Sequence, residues 1–595
     1  MTLALRATGL VQVFNTAGVL ALADVHTARR VSALGGESDE TVLLAFALTV
    51  RALRLGSVCV DLTTVAGTAT GDEDVVPGDL PWPAPAAWLQ ACARSPLVAP
   101  GGPLRLVREL LYLDRYWRQE ELVRHHLEQR ARSTPLFDSA RLTTDLDALF
   151  PGADSECQRL AAAVAVHRWT TVLAGGPGTG KTTTIARILA ALHHQPGDPP
   201  RIALAAPTGK AAARLEEAVR ACDLPELGDL HASTIHRLLG RRPGSRTRFR
   251  HDRTNRLPYD VVVVDETSMV SLTLMAKLLD AVRPTARLIL VGDPDQLASV
   301  EAGAVLGDIV RAEGHPSEIL GRPVTNGVVT LDHTWRFQGS IAALARAIRA
   351  GDPDAALEVL HLTADARHKA GVDAGEGRAG EEARADRTAG EVELIEDGAT
   401  DGLRADVTAA LDEVTRAALE GDAVTALDRL DTHRLLCAHR HGPHGVTHWS
   451  AEIARWREAA PSGSDWYPGQ PLLITANDYD AGLYNGDTGV IVQTSDGLRA
   501  AFARGGTPVL IPPTRLLEAQ TLYALTVHRS QGSQFDRVTL ILPPPESPLL
   551  TRELLYTAAT RARTHLRILG TAEAIRAAIT RPIARASGLR SLLGP

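Results

Sequence analysis

The residues best suited to chemistry form a glycine-rich loop that ends in one ammonium and two hydroxyl groups. The segment GGPGTGKT at Gly175–Thr182 follows the strand-like TTVLA and opens a helical pattern, the context that a phosphate-binding loop requires. Glycines let backbone N–H groups surround phosphate oxygens, and the helix N-terminus adds a positive dipole end. We therefore expect Lys181 to reach the β- and γ-phosphates of a nucleotide, and the Thr182 hydroxyl to bind Mg²⁺. The residues predicted to hold the phosphates are Gly175, Gly176, Pro177, Gly178, Thr179, Gly180, Lys181, Thr182 and Thr183.

Two later segments place polar side chains directly after apolar runs. In VVVVDETS at Val261–Ser268, Asp265 suits the Mg²⁺ shell, and Glu266 is placed to orient or deprotonate an attacking water. In LILVGDPDQLASV, Gln296 follows a tight Gly-Asp-Pro turn, where an amide could sense the γ-phosphate. Acids and glutamines at strand ends are common by themselves, but their order after the glycine-rich loop predicts an ATP-hydrolysing site.

The spacing of apolar residues predicts the elements that position these side chains. Between residues 155 and 345, short apolar runs alternate with helical patterns, which is typical of a parallel α/β sheet covered on both faces. The predicted strands are Thr170–Leu173, Ile202–Ala206, Val261–Val264 and Leu288–Val291. Residues 1–130 are predicted to be mainly helical, because Val42–Leu55 and Leu106–Gln129 carry apolar residues at helical spacing.

Composition limits the classes of function. The 595 residues carry a formal net charge of −7, which excludes a histone-like blanket of positive charge but not nucleic-acid binding in one local groove. Of 63 basic residues, four are Lys, a bias that genomic base composition explains. The scarcity of Lys nevertheless implies that each one lies where a compact ammonium is needed. No apolar run is long enough to span a membrane, and five separated cysteines predict reduced thiols in a cytoplasmic protein.

The order of motifs resembles that of superfamily 1 DNA helicases, and more closely that of the RecD family, the alpha subunits of exodeoxyribonuclease V (the RecBCD complex). LYLDRYWRQE at Leu111–Glu120 is similar to the amino-terminal region of the same subunits. The other segments that carry the resemblance are Ser155–Leu160, Ala206–Glu217, Ser233–Gly240, Asp332–Phe337, Leu435–Val446, Asn477–Val490, Leu525–Val538 and Leu554–Arg563. The resemblance covers nearly the whole chain except about 365–405.

The resemblance implies an α/β fold in which two RecA-like P-loop motor domains with parallel sheets enclose ATP and Mg²⁺. It divides the chain into a helical, partner-docking N-terminal domain at 1–130, motor domain 1 at 131–345, a helical linker region at 346–430 and motor domain 2 at 431–595. Composition and turn residues predict three smaller segments, namely a basic insert at about 240–258, a disordered acidic insertion at about 365–405 and an SH3-like β-barrel insert at about 468–517.

The same resemblance implies an ATP-dependent helicase that moves 5′→3′ along DNA. Its partners would be single- and double-stranded DNA ends, and RecB-like and RecC-like subunits in a heterotrimer that serves recombinational repair and degradation. No [D/E]-x-K motif occurs at any of the four lysines, so we expect no nuclease centre in this chain and assign cutting to the RecB-like subunit. Two rival functions remain open, a stand-alone superfamily 1 helicase and a P-loop ATPase that remodels protein.

Individual residues take expected roles from the matching motifs. Gln158 resembles the glutamine that hydrogen-bonds adenine, and Arg336 and Arg561 resemble the arginines that reach the γ-phosphate from the two domains. The predicted catalytic residues are Lys181, Glu266, Gln296, Arg336 and Arg561. The residues expected to face DNA are Thr208, Lys210, Thr234, His236, Asn485, His528 and Gln531.

Two clusters leave alternatives open. Arg237–Arg256 holds eight arginines and one acid, and it is either a solvated loop or a small hairpin beside the DNA path. Five histidines and one cysteine crowd between His433 and His448, which suits either a buried strand followed by a turn or a zinc site.

Overall fold

The structure is a computed structural model with a mostly helical N-terminal region, two parallel sheets and one larger antiparallel sheet. No helix among its described residues is both long enough and apolar enough to cross a membrane. The residues that the structure describes are 4, 7–69, 77–240, 242, 248–314, 316–333, 339–362, 391–396, 398–457, 466–478, 480–504 and 507–592.

The N-terminal region packs its helices around one apolar core and closes it with a small antiparallel sheet. Helix Glu40–Arg54 buries most of its length and is capped by Asp39, which accepts a hydrogen bond from the Thr41 N–H at 2.8 Å. The other helices of this region are Gly9–Thr16, Leu22–Leu34, Val65–Thr68, Pro85–Arg94 and Asp114–Ala131. The sheet, in the order β1-β3-β2, consists of β1 Cys59–Asp61, β2 Leu104–Val107 and β3 Leu110–Leu113.

The prediction of one helix over Leu106–Gln129 is wrong in its first part. Strands β2 and β3 form a hairpin there, and the helix begins only at Asp114. The turn between the strands needs a left-handed residue, and Arg108 supplies it with a φ of +54°. Apolar residues in this segment fit helical spacing and strand alternation equally well, so the pattern alone did not separate the two structures.

The first parallel sheet has six strands in the order β11-β4-β8-β7-β5-β6. Its strands are β4 Thr170–Gly175, β5 Ile202–Ala206, β6 Ala232–Thr234, β7 Val261–Val264, β8 Arg287–Gly292 and β11 Val328–Leu331. The four predicted strands are confirmed as β4, β5, β7 and β8, and they are buried because apolar cores lie on both faces. The helices around this sheet are Ser139–Leu149, Glu156–His167, Lys181–His193, Gly209–Arg220, Ile235–Leu239, Leu272–Ala281 and Val305–Arg311. A hairpin of β9 Pro316–Ile319 and β10 Arg322–Thr325 precedes β11.

The second parallel sheet has five strands in the order β12-β21-β20-β13-β19. Its strands are β12 Glu391–Ile395, β13 His433–Cys437, β19 Ala524–Thr526, β20 Phe535–Ile541 and β21 Ala562–Leu569. Its apolar cores lie against the helices that precede and follow these strands. The helices of this half are Ser340–Ala350, 353–362, Asp401–Leu419, Ala423–Leu430, Val446–Trp456, Arg552–Ala559, Ala572–Thr580 and Leu589–Leu592.

An antiparallel sheet of five strands is inserted between β13 and β19, in the order β17-β16-β15-β14-β18. Its strands are β14 Pro471–Ile474, β15 Thr488–Thr494, β16 Gly497–Arg504, β17 Thr507–Ile511 and β18 Ala519–Thr521. Phe502, Leu472 and Ile491 are fully buried in its core. The sheet therefore begins within the predicted insert and ends slightly beyond the predicted limit of residue 517.

The prediction of a disordered acidic insertion over about 365–405 is wrong for its last part. Strand β12 pairs in parallel with β21 along its whole length, and Val392 is fully buried between the sheet and its helices. Helix Asp401–Leu419 then begins inside the predicted insertion and buries Leu403. Ladder hydrogen bonds and these two apolar side chains order a segment whose composition alone favours disorder. Residues 363–390 lie outside the described residues.

We call the first parallel sheet with its helices the first motor half, and the second parallel sheet with its helices the second motor half. The segment after helix Ala572–Thr580 leaves the second motor half and returns to the N-terminal region. The Val58 N–H donates to the Ala586 carbonyl at 2.8 Å, and the Ser587 hydroxyl donates to the Glu120 carboxylate at 2.7 Å. We call residues 582–592 the tail strap, because they join the end of the second motor half to the N-terminal region.

Candidate functional site

The predicted phosphate loop connects β4 to helix Lys181–His193 at the carboxyl end of the first parallel sheet. Gly178 and Gly180 have φ values of +79° and +83°, a left-handed backbone that glycine adopts without strain. The Thr179 hydroxyl donates to the Gly176 carbonyl at 2.9 Å and so braces the loop from within. The loop therefore has the glycine-dependent shape that the sequence predicts for a phosphate cradle.

The Lys181 ammonium lies over this loop. It donates hydrogen bonds to the carbonyls of Gly175 and Gly176 at 2.7 and 2.8 Å. A Cβ atom built on Gly176 would lie 2.9 Å from the Tyr556 hydroxyl, so a side chain at this position would collide with the second motor half. Thr182 follows Lys181 in the first helical turn with a half-buried side chain. Ammonium, hydroxyl and backbone thus meet at one end of the sheet.

Two carboxylates, Asp265 and Glu266, follow β7 beside the loop. Glu266 has a φ of +50°, which is uncommon for a non-glycine residue, and its N–H donates to the Asp265 carboxylate at 2.8 Å. Burial and the adjacent Glu266 raise the pKa of Asp265, whereas the nearby Lys181 ammonium lowers it. Oxygen ligands of this kind suit Mg²⁺, so Asp265 and Thr182 fit the predicted metal position.

Two buried amides of the first motor half carry unpaired acceptors. Gln296 donates through Nε2 to Asp293 at 2.9 Å, but its Oε1 has no hydrogen-bond partner among the described residues. Gln158, on helix Glu156–His167, likewise has a buried Oε1 that nothing in the described ranges satisfies. An unpaired buried acceptor costs about 1–3 kcal/mol, so these atoms indicate a ligand with donor groups. The site therefore fits the nucleotide that the sequence implies.

Arg561 reaches the cleft from the second parallel sheet. Its side chain is 2% exposed, and its guanidinium donates to the Thr557 and Ser533 carbonyls at 3.0 and 3.1 Å. Burial lowers the pKa of Arg561, and the carboxylates of Glu266 and Asp293 oppose this shift. The charge of Arg561 therefore acts on the acids of the first motor half, where the sequence predicts a γ-phosphate.

Tyr556 is a site residue that the sequence prediction missed. It lies on helix Arg552–Ala559, and its hydroxyl forms a hydrogen bond with the Asp293 carboxylate of the first motor half. Burial and this carboxylate raise the pKa of Tyr556 well above its usual value. Within the segment LLYTAATRAR, the spacing of apolar residues marks Tyr556 only as another buried residue of the helix. The available signal was its phenol, because a buried tyrosine hydroxyl needs a partner.

The two motor halves also touch beside the nucleotide site. The Leu297 N–H donates to the Thr557 hydroxyl at 2.9 Å, and Gln531 donates through Nε2 to the Leu297 carbonyl at 2.6 Å. The prediction that Gln531 faces DNA is therefore corrected, because its side chain is 8% exposed and its amide joins the two halves.

Two threonines predicted to face DNA lie at neighbouring positions on the carboxyl edge of the first sheet. Thr208 follows β5, Thr234 ends β6, and these strands are paired. Their hydroxyls accept hydrogen bonds from the Ala211 and Arg237 N–H groups, both at 3.2 Å, and so cap the helices that follow. Each hydroxyl keeps its own proton, which remains available for donation to a phosphate.

Two further residues predicted to face DNA are partly buried in this structure. Burial lowers the pKa of Lys210 to about 8, and the Asp431 carboxylate of the second half opposes that shift. Burial and the Arg585 guanidinium of the tail strap both lower the pKa of His528. Lys210 and His528 are therefore half-buried, and each interacts electrostatically with a charged group from another part of the chain.

The remaining residues predicted to face DNA are exposed. Asn485, in the inserted sheet, donates through its N–H to the Asn477 side chain at 2.8 Å. His236 has its ring centroid 5.9 Å from that of Phe249. Arg336, predicted to reach the γ-phosphate, lies outside the described residues, as do 241 and 243–247 of the predicted basic insert.

The histidine-rich segment between His433 and His448 forms a strand and a turn. Residues His433–Cys437 are β13, and His433 and His439 hydrogen-bond the Thr539 and Ser547 hydroxyls at 3.0 and 2.9 Å. This confirms the strand alternative. In the part of the chain that the structure describes, no group of three or more His, Cys, Asp or Glu side chains is placed to hold a metal ion.

Three family models match the chain in the order in which its parts occur. They are the RecBCD enzyme subunit RecD N-terminal domain at 16–112, an AAA domain at 158–302 and the UvrD-like helicase C-terminal domain at 521–569. The AAA match contains the phosphate loop, both acids and Gln296. The fold and the site thus define the class of this protein, an ATP-dependent DNA helicase with two motor halves.

Two relatives that match nearly the whole chain identify its family. RecBCD enzyme subunit RecD of Mycolicibacterium smegmatis is 51% identical over 593 residues, which cover 97% of this chain and 98% of the relative. RecBCD enzyme subunit RecD of Mycobacterium tuberculosis is 50% identical over 611 residues, covering 99% and 98%. A crystal structure of Pif1 helicase from Bacteroides in complex with ADP-AlF3 and ssDNA is 15% identical and covers 67% of this chain and 88% of its own, with a TM-score of 0.35. The chain belongs to the RecD family of RecBCD enzyme subunits.

Proposed function

We propose that this chain is the motor subunit of a RecBCD-type complex, moving 5′→3′ along one strand to unwind DNA ends for recombinational repair and degradation. The observation that supports this most directly is the pair of buried side chains, Arg561 and Tyr556, that reach from the second motor half to Glu266, Asp293 and the phosphate loop. Because ATP would lie between these groups, its binding and hydrolysis would close and open the cleft and so alternate the grip of the two halves on DNA.

In the proposed site, the loop and Lys181 hold the phosphates, and Thr182 and Asp265 hold the Mg²⁺ that neutralises them. Glu266, whose carboxylate interacts electrostatically with Arg561 across the cleft, would orient or deprotonate the attacking water. Arg561 stabilises charge that develops on the γ-phosphate.

Three glutamine and arginine positions complete the proposed nucleotide contacts. The unpaired Oε1 of Gln158 would accept a hydrogen bond from the amino group of adenine. Gln296 would contact the γ-phosphate through its Nε2 donor, while its unpaired Oε1 would accept a hydrogen bond from the attacking water. Arg336 would add a second guanidinium.

We also propose a path for the DNA strand over the carboxyl edge of the first sheet and onto the inserted sheet. Thr208, Thr234 and Asn485 would hold phosphates without reading sequence, and His528 and Lys210 would link this path to the cleft. The five-stranded insert would serve as an SH3-like barrel beside the strand. Residues 1–130, 131–345, 346–430 and 431–595 would be the N-terminal, first motor, linker and second motor domains.

The proposed partners are single- and double-stranded DNA ends and the RecB-like and RecC-like subunits. The match of 16–112 to the N-terminal domain of RecBCD subunits favours docking through this region, rather than a stand-alone helicase. Cutting would come from the RecB-like subunit, because Thr179, Thr208, Met275 and Arg367 precede the four lysines by two positions and none is acidic.

The test of direction uses the chain purified with its partners on duplexes with either a 5′ or a 3′ single-stranded tail. We expect strand displacement from the 5′ tail when Lys181 of this chain is the only intact motor lysine. Displacement from the 3′ tail alone would overturn the direction. ATP hydrolysis that DNA does not stimulate would instead favour the protein-remodelling function.

The test of the nuclease assignment uses this chain alone with linear duplex DNA, Mg²⁺ and ATP. A Lys181→Gln preparation purified in the same way reports contaminating nucleases. Degradation that follows this chain through every purification step, beyond that background, would contradict the assignment of cutting to another subunit.

A further inference from the structure

A cavity lies where the N-terminal region meets the first motor half. Its volume is about 480 Å³, within the range of roughly 300–1,000 Å³ that is usual for small-ligand sites. Helix Asp114–Ala131 forms one side, and helices Ile235–Leu239 and Leu272–Ala281 contribute to the others. We call this cavity the junction pocket, and its defining residues are Arg115, Tyr116, His236, Phe249, Lys277 and Glu301.

The junction pocket offers positive charge that its own walls do not neutralise. Lys277 makes no hydrogen bond or ion pair with any described residue. Arg115 lies 5.7 Å from the Tyr116 ring centroid and has no carboxylate partner within the described ranges. Glu301 adds one negative charge, and its carboxylate accepts a hydrogen bond from the Ser271 hydroxyl at 2.8 Å, so the two cations leave a net positive charge on the walls. Two cations in a concave site favour an anionic ligand.

The choice of lysine at position 277 also indicates an anion. The chain uses arginine for 59 of its 63 basic residues, so an ammonium is exceptional. Lys181 lies over the phosphate loop, and Lys210 follows Thr208 in a motif that resembles DNA-facing ones. Lys277 is the third lysine of the first motor half, and a compact, rotatable donor is suited to phosphate oxygens in a narrow site.

Aromatic rings supply the other half of a nucleotide site. The His236 and Phe249 ring centroids are 5.9 Å apart with planes at 55°, and Tyr116 lines the same cavity. Rings of this kind stack on nucleobases whatever their sequence, because every base has a flat π-face. A base against these rings and a phosphate against Lys277 would use both features of the pocket.

The position of the junction pocket points to a DNA strand as the source of this nucleotide. His236 is two residues after Thr234, whose hydroxyl caps the same short helix at the carboxyl edge of the sheet. Phe249 lies within the basic segment Arg237–Arg256, which holds eight arginines. A strand held at Thr234 therefore passes close to the rings and cations of the pocket.

We propose that the junction pocket binds one nucleotide of single-stranded DNA, with its base against Phe249 and His236 and its phosphate at Lys277. This rests on the proposed helicase function and adds a base-binding position to the path over the motor domains. Arg115 and Tyr116 make the N-terminal region part of that path, so docking of a partner on this region would act directly on the grip on DNA.

The first experiment measures binding of the full chain to oligothymidylates that each carry one abasic position. In the wild type we expect a single abasic position to weaken binding roughly tenfold, because one stacked base is lost. Phe249→Leu, which keeps apolar volume but removes the ring, should abolish this position dependence. Equal cost of every abasic position in wild type and in Phe249→Leu would overturn the proposal.

The second experiment measures the salt dependence of DNA binding. Lys277→Ala should weaken binding to every oligonucleotide alike and reduce the slope of log affinity against log salt by about one, because one phosphate contact is lost. Arg220→Ala is the matched control, since Arg220 is a half-exposed cation on the same motor half that pairs with Glu216 at 2.9 Å. An unchanged slope in Lys277→Ala, or an equal change in Arg220→Ala, would contradict the phosphate contact.

A third arm separates the strand from a free nucleotide. Thymidine monophosphate should fail to compete with the oligonucleotide, because only the strand is also held at Thr234; strong competition would overturn the strand as the ligand. Failure of the proposed helicase function gives a different result, because DNA would then not stimulate ATP hydrolysis. That result is obtained before any abasic position is compared. Thermal unfolding of Phe249→Leu at the wild-type midpoint establishes that its binding defect is local.

Discussion

The six-stranded sheet brings the phosphate loop, its lysine and two carboxylates to the nucleotide cleft, whereas the five-stranded sheet brings one arginine and one tyrosine. Gly175–Gly180 curls through left-handed glycines at the end of β4, so its contribution is shape and N–H groups. The second half contributes Arg561 and Tyr556, both buried and both held by hydrogen bonds. The first half can therefore hold a phosphate chain by itself, while the second half acts on it only across the cleft.

This difference separates nucleotide binding from hydrolysis. Changes at the phosphate loop and Lys181 should remove both, because the cradle and its ammonium contact the phosphates in ground and transition states alike. Changes on the second half should spare binding and slow turnover, because a charge that meets the γ-phosphate across the cleft acts most strongly where charge develops. Contacts that join the halves away from the cleft should affect neither.

Lys181→Gln is expected to have the largest effect. Removing the ammonium that lies over the phosphate loop should reduce ATP turnover by more than about 10³-fold and weaken nucleotide binding as well. Steady-state hydrolysis with saturating single-stranded DNA and fluorescent-nucleotide binding measure the two effects. A folded variant with hydrolysis near the wild-type rate would break the assignment of this half as the cradle.

Arg561→Ala should come next. We expect turnover to fall by roughly 10³-fold, as for other arginines that meet a transferring phosphoryl group, while the nucleotide Kd changes only a few-fold. Arg563→Ala is the matched control, because Arg563 lies two residues away, is half-exposed and pairs with Asp536 at 3.3 Å. If both variants lose nucleotide binding and turnover in parallel, the proposed division between the two halves is wrong.

The same division explains which parts of the molecule were predictable from sequence. The phosphate loop, Asp265 and Glu266 were found because local spacing carries them: four apolar runs became β4, β5, β7 and β8, and the polar residues follow two of these strands. Local sequence also identified Arg561, through a motif whose order along the chain resembles a known family. Such features depend on neighbours in sequence, which a pattern records.

The structural features that could not be predicted from the sequence depend on contacts between residues that are far apart along the chain. Gln531 faces the Leu297 carbonyl, and Tyr556 faces Asp293 and Gly176; neither contact leaves a trace in local spacing. The hairpin of β2 and β3 was predicted as helix because its apolar residues fit both periods. Strand β12 was predicted as disorder because its surroundings are acid-rich, and its pairing with β21, which orders it, involves residues far away in sequence.

Tyr556→Phe tests the contact that sequence missed, with a smaller expected effect. It removes one hydroxyl from a buried carboxylate, a loss of about 1.5–3 kcal/mol that corresponds to roughly ten- to 100-fold in turnover if the bond persists in the transition state. Tyr523→Phe is the control, because the Tyr523 hydroxyl pairs with Tyr467 away from the cleft. A positioning role predicts a fall in kcat with little change in KM; a change in KM alone would place Tyr556 among binding contacts.

The smallest effect on turnover is expected at the tail strap, which joins the second half to the N-terminal region outside the nucleotide cleft. Glu120 is fully buried there and accepts hydrogen bonds from the Ser587 hydroxyl at 2.7 Å and the Gly588 N–H at 3.2 Å. Burial, against these hydrogen bonds, raises the pKa of Glu120 to about 7, and burial likewise raises the pKa of the neighbouring Asp308 to about 6. The strap is thus docked on carboxyl groups that bind protons more tightly when it is closed.

A carboxyl whose pKa is raised on folding gives stability that is complete below its unfolded pKa of about 4.5 and is lost as pH rises through about 7. The free energy of opening the strap should therefore fall by up to about 3 kcal/mol between pH 4.5 and 8, at about 1.4 kcal/mol per pKa unit. Glu120→Gln keeps the hydrogen-bonding shape without the charge, so it should remove the share of this dependence that Glu120 carries, leave the share of Asp308, and keep turnover within about twofold. Hydrogen exchange of the Gly588 amide, corrected for its intrinsic pH dependence, measures the opening of the strap. The control is Glu121→Gln, which loses a half-exposed carboxylate paired with Arg124.

A strap that opens more readily at low pH than at high pH would contradict the expected direction of this pH dependence. A large loss of turnover in Glu120→Gln would show that contacts outside the cleft also drive hydrolysis, and the division between the two halves would fail.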